Sequence, residues 1–398
     1  MDSPPALRRS LSLTQLVLYG IGTTVGAGIY ALIGEITAVA GYLAPWSFLA
    51  AAMLATFTAF SFARLSARYP RAAGAALYVE KGLGSPRLAR GVGYLVVATG
   101  TLSSAALLNG FVGYAQEFID TDRILIIVTT AAVLSLIAIW GIAQSVWVAG
   151  IISIVEVGGL IWVTVLAVQA TDLTMFDPEL LTPTFALNEW SMIFAGAVLA
   201  FYAYIGFEDM VEVAEEVREV ERNLPRAIFL TLAFSSLIYL LLIGSLILAV
   251  GPEMIAVSDA PLADVYRHLT GSAPTAISVI GLFAIVNGAL IQIIMASRVL
   301  YGLAARGQLP QPLARVNSWT QTPINATLVA AGIVTLLALS GTLASLAFFT
   351  SISMLFIFAL VNLSLYALLR RHNRTQALIS LVGALTCIAI AIHALLQL

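Results

Sequence analysis

Apolar runs alternate along this chain with short polar gaps, and most of the runs are long enough to cross a bilayer. A membrane-spanning helix needs roughly 17–25 such residues. The pattern predicts eleven spans, near residues 13–40, 43–64, 91–117, 124–141, 146–168, 190–211, 227–250, 274–305, 324–340, 343–368 and 376–396. The expected fold class is therefore an all-α integral membrane protein, a single transmembrane domain over residues 1–398.

Two of these runs are interrupted. The first contains Gly22-Thr23-Thr24-Val25-Gly26-Ala27-Gly28, and the sixth contains Phe201-Tyr202-Ala203-Tyr204-Ile205-Gly206. Free backbone groups in hydrocarbon cost several kcal/mol each, so such a break persists only where it lines a cavity or meets a ligand. At 1.5 Å per residue the first break lies about 14–22 Å from Leu13, and the second about 16–24 Å from Trp190. Both reach the middle of a hydrocarbon core about 30 Å thick. Paired, oppositely directed breaks five spans apart imply an inverted repeat, approximately residues 13–168 and 190–368, with 376–396 outside it.

The chemistry follows from the backbone. A helix that stops and restarts exposes amide donors at its new N-terminus and carbonyl acceptors at its old C-terminus, with matching partial charges. A zwitterionic amino acid needs that pairing. Thr23, Thr24, Val25, Gly26, Ala27 and Gly28, with Phe201, Tyr202, Ala203, Tyr204, Ile205 and Gly206, are the candidate substrate-binding residues. The plainer alternative is that glycine lets membrane helices pack closely.

Composition supports the membrane assignment: 10% of residues are charged, against about 25% in soluble domains, and mean hydropathy is +0.97. A net charge of -2 gives no sign of a nucleic-acid partner. Of the 19 Lys and Arg, only Arg123 and Arg267 fall on the side opposite Arg8 and Arg9. That bias places the N-terminus in the cytoplasm, and an odd span count places the C-terminus outside. The first run lacks a small-residue cleavage site and reads as a retained span. A cell-membrane location, plasma or bacterial inner membrane, is expected.

A lone Cys387 excludes an internal disulfide or a thiolate metal cluster. His268, His372 and His393 are scattered, and no glycine-rich phosphate loop with a following lysine exists. No cofactor, metal, ATP drive or enzyme activity is expected.

The residues also carry a family likeness. Gly20-Ile21-Gly22-Thr23-Thr24-Val25-Gly26-Ala27-Gly28-Ile29-Tyr30 resembles the first-span signature of the amino acid–polyamine–organocation (APC) family. The following Ala31-Leu32-Ile33-Gly34-Glu35 looks most like its cationic amino acid transporter branch. Phe201 to Glu208, Glu215-Glu216 and Leu224-Pro225-Arg226 resemble the sixth span and its loop, and Pro70-Arg71-Ala72-Ala73-Gly74 the loop after span two. Ser297-Arg298-Val299-Leu300-Tyr301 and Thr322-Pro323 resemble the join of spans eight and nine. The likeness implies the LeuT-type five-plus-five inverted repeat with broken helices 1 and 6, working by alternating access. It implies that Thr24 to Gly28 offer backbone to a carboxylate. Tyr202, Ala203 and Ile205 would offer carbonyls to an ammonium, with Tyr204 closing over the ligand. The chain departs from the pattern at Arg306, at Ala75 and in lacking a twelfth span.

Glu156 lies about 16 Å into span five, counted from Ser145. An intramembrane ionisable residue marks function by default, so Glu156 is a candidate proton or cation carrier. Proton-coupled relatives hold a lysine at this spacing. The alternative is a neutral glutamate bonded to a neighbouring helix. Glu208, with Asp209 beside it, begins the resumed half of span six. It reads as a helix cap stabilised by the dipole, or as a coupling residue attracting a cation. The run Glu212, Glu215, Glu216, Arg218, Glu219, Glu221 and Arg222 reads as a solvated helix face with i,i+4 pairs. Asn109, Asn287 and Gln292 read as hydrogen-bonding glue between helices, or as substrate contacts. The expected function is secondary active amino acid transport coupled to protons, as a symporter. An amino acid or polyamine exchanger or uniporter, and an amino acid sensor without turnover, stay open.

Overall fold

The computed structural model describes residues 11–70, 74–140, 146–171 and 178–397. Arg8, Arg9, Arg71, Ala72, Ala73 and Ser145, which bear on topology, likeness and depth, lie outside the described residues.

Helix α1 (Leu13–Thr24) starts where Ser12 and Gln15 form a capping box, each side chain satisfying the other's backbone amide. It stops at Val25, and α2 (Ala27–Ala40) restarts after Gly26. Helix α3 (Ala44–Arg68) follows with proline in its first turn, where a missing N–H costs nothing. Next come α4 (Gly74–Leu83), α5 (Pro86–Gln116), α6 (Arg123–Trp140) and α7 (Val146–Ala170). Helix α8 (Leu187–Tyr202) ends in a turn, and the chain resumes as a 3-10 helix, Phe207–Glu216. The remainder is α9 (Val220–Val250), short α10 (Pro252–Ala256) and α11 (Pro261–Thr270), then α12 (Thr275–Ala305), α13 (Ile324–Ser340), α14 (Leu343–Leu369) and α15 (Arg374–Leu395).

Among the described residues nine helices are long and apolar enough to cross a membrane, α13 being a shorter apolar helix. Large apolar side chains such as Leu136, Ile151, Ile154 and Leu237 stand exposed on their outer faces, as lipid-facing helices require. Inside, α12 lies along α5, α14 along α5 and α15, and α3 against α8 and α9. Small residues allow this: Gly110 of α5 leaves so little room that an added Cβ would stand 2.7 Å from the Ala31 Cβ, the close approach membrane helices favour. Buried polar groups pair across helices. Ser61 donates to Asn362 Oδ1 at 2.5 Å, and Asn362 donates to Thr58 at 3.0 Å, tying α3 to α14.

Two features differ from the apolar pattern. Helices α4, α10 and α11 fall in stretches read as loops, too short and polar to register as spans. Helix α11 is tied to the end of α5 by Arg267, which pairs with Glu117 there and with Asp264 within α11. The acidic run is also not one helical face. It is a 3-10 helix to Glu216, then Leu11 and Val217 form a parallel bridge (Leu11 N to Glu216 O 3.0 Å, Arg218 N to Leu11 O 3.0 Å). Glu219, at φ 46°, then turns the chain into α9. The described pair there is Arg222–Glu219, spaced i,i+3 at 3.6 Å and exposed, which contributes little.

Candidate functional site

The breaks meet. Thr23 Oγ1 donates to Gly206 O at 2.9 Å, linking sequence positions 183 apart. Tyr239, from the middle of α9, places its hydroxyl 2.8 Å from Thr24 O and 2.8 Å from Ala203 O, one carbonyl from each break. A Cβ added at Gly28 would lie 3.0 Å from the Ala203 Cα. At Gly206, φ is +126° and an added Cβ would lie 2.1 Å from Thr23 O. Glycine at 206 is thus required twice, by conformation and by space.

Beside this junction is a cavity of about 50 Å³, room for roughly three water molecules. Thr23, Thr24, Gly26, Ala27, Gly28, Tyr202, Ile205 and Glu156 line it, as do Asp209, Ser103, Leu107 and the α12 residues Asn287, Gly288 and Gln292. The fresh N-terminus of α2 opens here, so its first amides have no intrahelical acceptor.

The other predicted residues support the junction from behind. Val25 is buried and closes the last turn of α1 through Val25 N to Ile21 O at 2.6 Å. Phe201 packs edge-on against Phe358. Ala203 supplies the carbonyl that Tyr239 takes. The Tyr204 ring packs against Tyr239, with centroids 5.2 Å apart, and its hydroxyl points to Phe48 O at 3.4 Å. That ring is turned away from the cavity lining. Glu208 Oε2 accepts from Gly206 N at 2.9 Å, capping the resumed helix, while its neighbour Asp209 lines the cavity.

Glu156 is 1% exposed, and neither carboxylate oxygen has a hydrogen-bond partner among the described residues. Its Oε2 lies 3.2 Å from where a Gly26 Cβ would stand, and Tyr30 donates to its backbone carbonyl at 2.7 Å. Among the described residues lining the cavity there are two carboxyls, Glu156 and Asp209, and no Lys, Arg or His. The arrangement suits a ligand whose anionic end meets helix amides and whose cationic end meets acceptors. Asn109 is not part of it. It donates to Ala105 O and Ala338 O at 3.0 and 3.1 Å, as glue between α5 and α13. Ser297 pairs with Thr327 at 2.8 Å, away from the lining.

Sequence reasoning missed Tyr239 and Ser103. A tyrosine in an apolar span must find a partner for its hydroxyl, and that question would have flagged Tyr239. Ser103 is found only through Tyr202, whose hydroxyl lies 2.8 Å from Ser103 Oγ and 3.0 Å from Ser103 O.

Comparison with known proteins shows what the chain is similar to. Residues 11–397 match the family model described as amino acid permease. Uncharacterized transporters of Mycobacterium tuberculosis and Mycobacterium bovis are 31% identical over 98% of this chain and 87% of their own length. A protein of Arabidopsis thaliana named cationic amino acid transporter 3, mitochondrial, is 28% identical over 90% of this chain and 62% of its own. Cationic amino acid transporter 4 of Mus musculus is 28% identical over 91% of this chain and 60% of its own.

Proposed function

The chain belongs to the amino acid permease family, and from that premise we propose that it is a secondary active amino acid transporter working by alternating access and coupled to protons. In this reading the chain makes eleven passes among the described residues: the α1–α2 pair, α3, α5, α6, α7, α8 with its 3-10 continuation, α9, α12, α13, α14 and α15. The first ten form a LeuT-type inverted repeat, and the N-terminus is cytoplasmic. A cell membrane holds it.

The substrate carboxylate meets the first amides of α2 at Ala27 and Gly28, where the helix dipole favours negative charge. The ammonium faces the acceptor side of the cavity. Glu156 loads the proton, because a buried carboxyl with no fixed partner can be neutralised in one state and ionised in another. Two carboxyls and no basic group on the lining disfavour an acidic substrate side chain.

One observation carries this reading: Tyr239 and Thr23 tie unwound peptide from both broken helices into a single junction beside a polar cavity. The test is a thermal-shift screen of the purified protein against the twenty amino acids, at two pH values and with or without sodium. Stabilisation by one or a few amino acids, dependent on pH and indifferent to sodium, is expected. A flat response across all twenty overturns the reading.

A further inference from the structure

The acceptors left without partners around the cavity locate the ammonium more narrowly. Several backbone carbonyls of the breaks already hold a donor. Phe201 O and Tyr202 O receive the amides of Tyr204 and Ile205 at 3.0 and 3.1 Å, and Ala203 O and Thr24 O share the Tyr239 hydroxyl. Gly206 O receives both Thr23 Oγ1 and the Asp209 amide, at 2.9 and 3.1 Å, which fills its two lone pairs.

Four side-chain oxygens on the same lining are not engaged. Glu156 Oε1 and Oε2, Thr24 Oγ1 and Gln292 Oε1 are buried with no hydrogen-bond partner among the described residues. Glu156 is 1% and Thr24 3% exposed, so neither turns to bulk water. These groups come from three helices, α7, α1 and α12, and converge on one cavity. Buried polar atoms are ordinarily paired, so three side chains with unpaired oxygens around one cavity mark a place for a donor-rich group. An ammonium offers three N–H donors and a positive charge.

Gln292 is held in register by backbone packing. The carbonyl of Ala289 accepts from Ser104 Oγ at 3.1 Å, and a Cβ added at Gly100 would lie 3.3 Å from Gln292 O. One turn earlier, a Cβ added at Gly288 would meet the Ala27 Cβ at 2.7 Å. So α12 is seated on the start of α2, and Gln292 sits one turn along from the amides that face the carboxylate. Resting on the transporter reading above, we infer that Gln292 is a direct substrate contact. Its Oε1, with Thr24 Oγ1 and a Glu156 oxygen, receives the ammonium in place of the peptide carbonyls of the second break. Glu156 retains an acceptor oxygen even when the other carries a proton.

The test compares an amino acid found to be transported with its α-hydroxy acid, in which a hydroxyl replaces the ammonium. Uptake of both is measured in proteoliposomes for the wild type, Gln292→Met and Gln292→Glu. Gln292→Met keeps the length and loses the acceptor. It should lower the amino-to-hydroxy preference in kcat/KM about tenfold, the loss of one hydrogen bond to a charged group, and Gln292→Glu should restore it. A general packing defect lowers both rates and leaves the ratio fixed, which overturns the inference while leaving transport standing. A change of preference among side chains at constant amino-to-hydroxy ratio overturns it too, placing Gln292 at the side-chain end. A wild type that moves no amino acid overturns both readings.

Discussion

The two breaks reach the same place by different backbone routes. The first is short: α1 closes its last turn at Val25, Gly26 sits at φ −158°, outside the left-handed region, and a full α-helix follows at once. The second takes the turn 203–206, passes through Gly206 at φ +126°, and resumes as a 3-10 helix. At Gly26 an added Cβ would meet Glu156 Oε2 at 3.2 Å, the end of a movable side chain. At Gly206 it would meet the Thr23 carbonyl at 2.1 Å, which is fixed peptide of the other break. The second break is therefore the keyed joint, and the first is the open face that presents amides to the cavity.

The largest test of that contrast is a pair of alanine variants. Gly206→Ala adds backbone strain and a clash with peptide, so it should cost about 3 kcal/mol or more and abolish transport. Gly26→Ala should cost roughly 1 kcal/mol and leave a folded protein. Melting temperatures in detergent decide, and equal losses at the two sites would erase the distinction. Tyr239→Phe comes next, because it strips a hydroxyl that serves both breaks. Leaving buried carbonyls short of a donor costs about 1–3 kcal/mol, and substrate KM should rise about tenfold. A Tyr239→Phe protein with unaltered melting and KM would show that the hydroxyl does not join the breaks.

Glu156→Gln should leave melting nearly unchanged, since the carboxylate has no partner among the described residues to lose. Its effect belongs to coupling: uptake should lose its dependence on external pH. Accumulation with the wild-type pH profile would remove Glu156 from the proton path. The smallest effect is Thr23→Val, which deletes the hydroxyl bonded to Gly20 O and Gly206 O. It should cost about 1 kcal/mol with transport retained, and an effect as large as that of Gly206→Ala would shift the joint from the glycine to the threonine.

Both breaks were legible because a cluster of glycine and polar residues inside an apolar run opens backbone that lipid cannot satisfy. The starts of α1 and α14 are set by capping boxes from Ser12 to Gln15 and from Thr342 to Ser345, which the apolar pattern alone did not use. The orientation of individual side chains was not. Glu208 and Asp209 are adjacent carboxyls, and only the 3-10 geometry of the resumed helix decides that Glu208 caps while Asp209 lines the cavity. Tyr204 lies within the motif yet packs on Tyr239, because the turn after α8 directs its ring toward α3 and α9. Tyr239 and Gln292 sit in apolar helices far along the chain, where a single polar residue looks the same whether it is glue or ligand contact. Asn109 proved to be glue, and its bonds to Ala338 of α13 and Arg123 of α6 reveal it.

Counterflow tests the central claim most directly. Proteoliposomes preloaded with an unlabelled amino acid that binds are diluted into the same compound carrying a radiolabel. If unwound peptide at the two breaks carries the substrate from one face to the other, label accumulates transiently inside, and Gly206→Ala vesicles show none. Tight binding of the amino acid by the wild type with no exchange of label would contradict the account and make the protein a sensor.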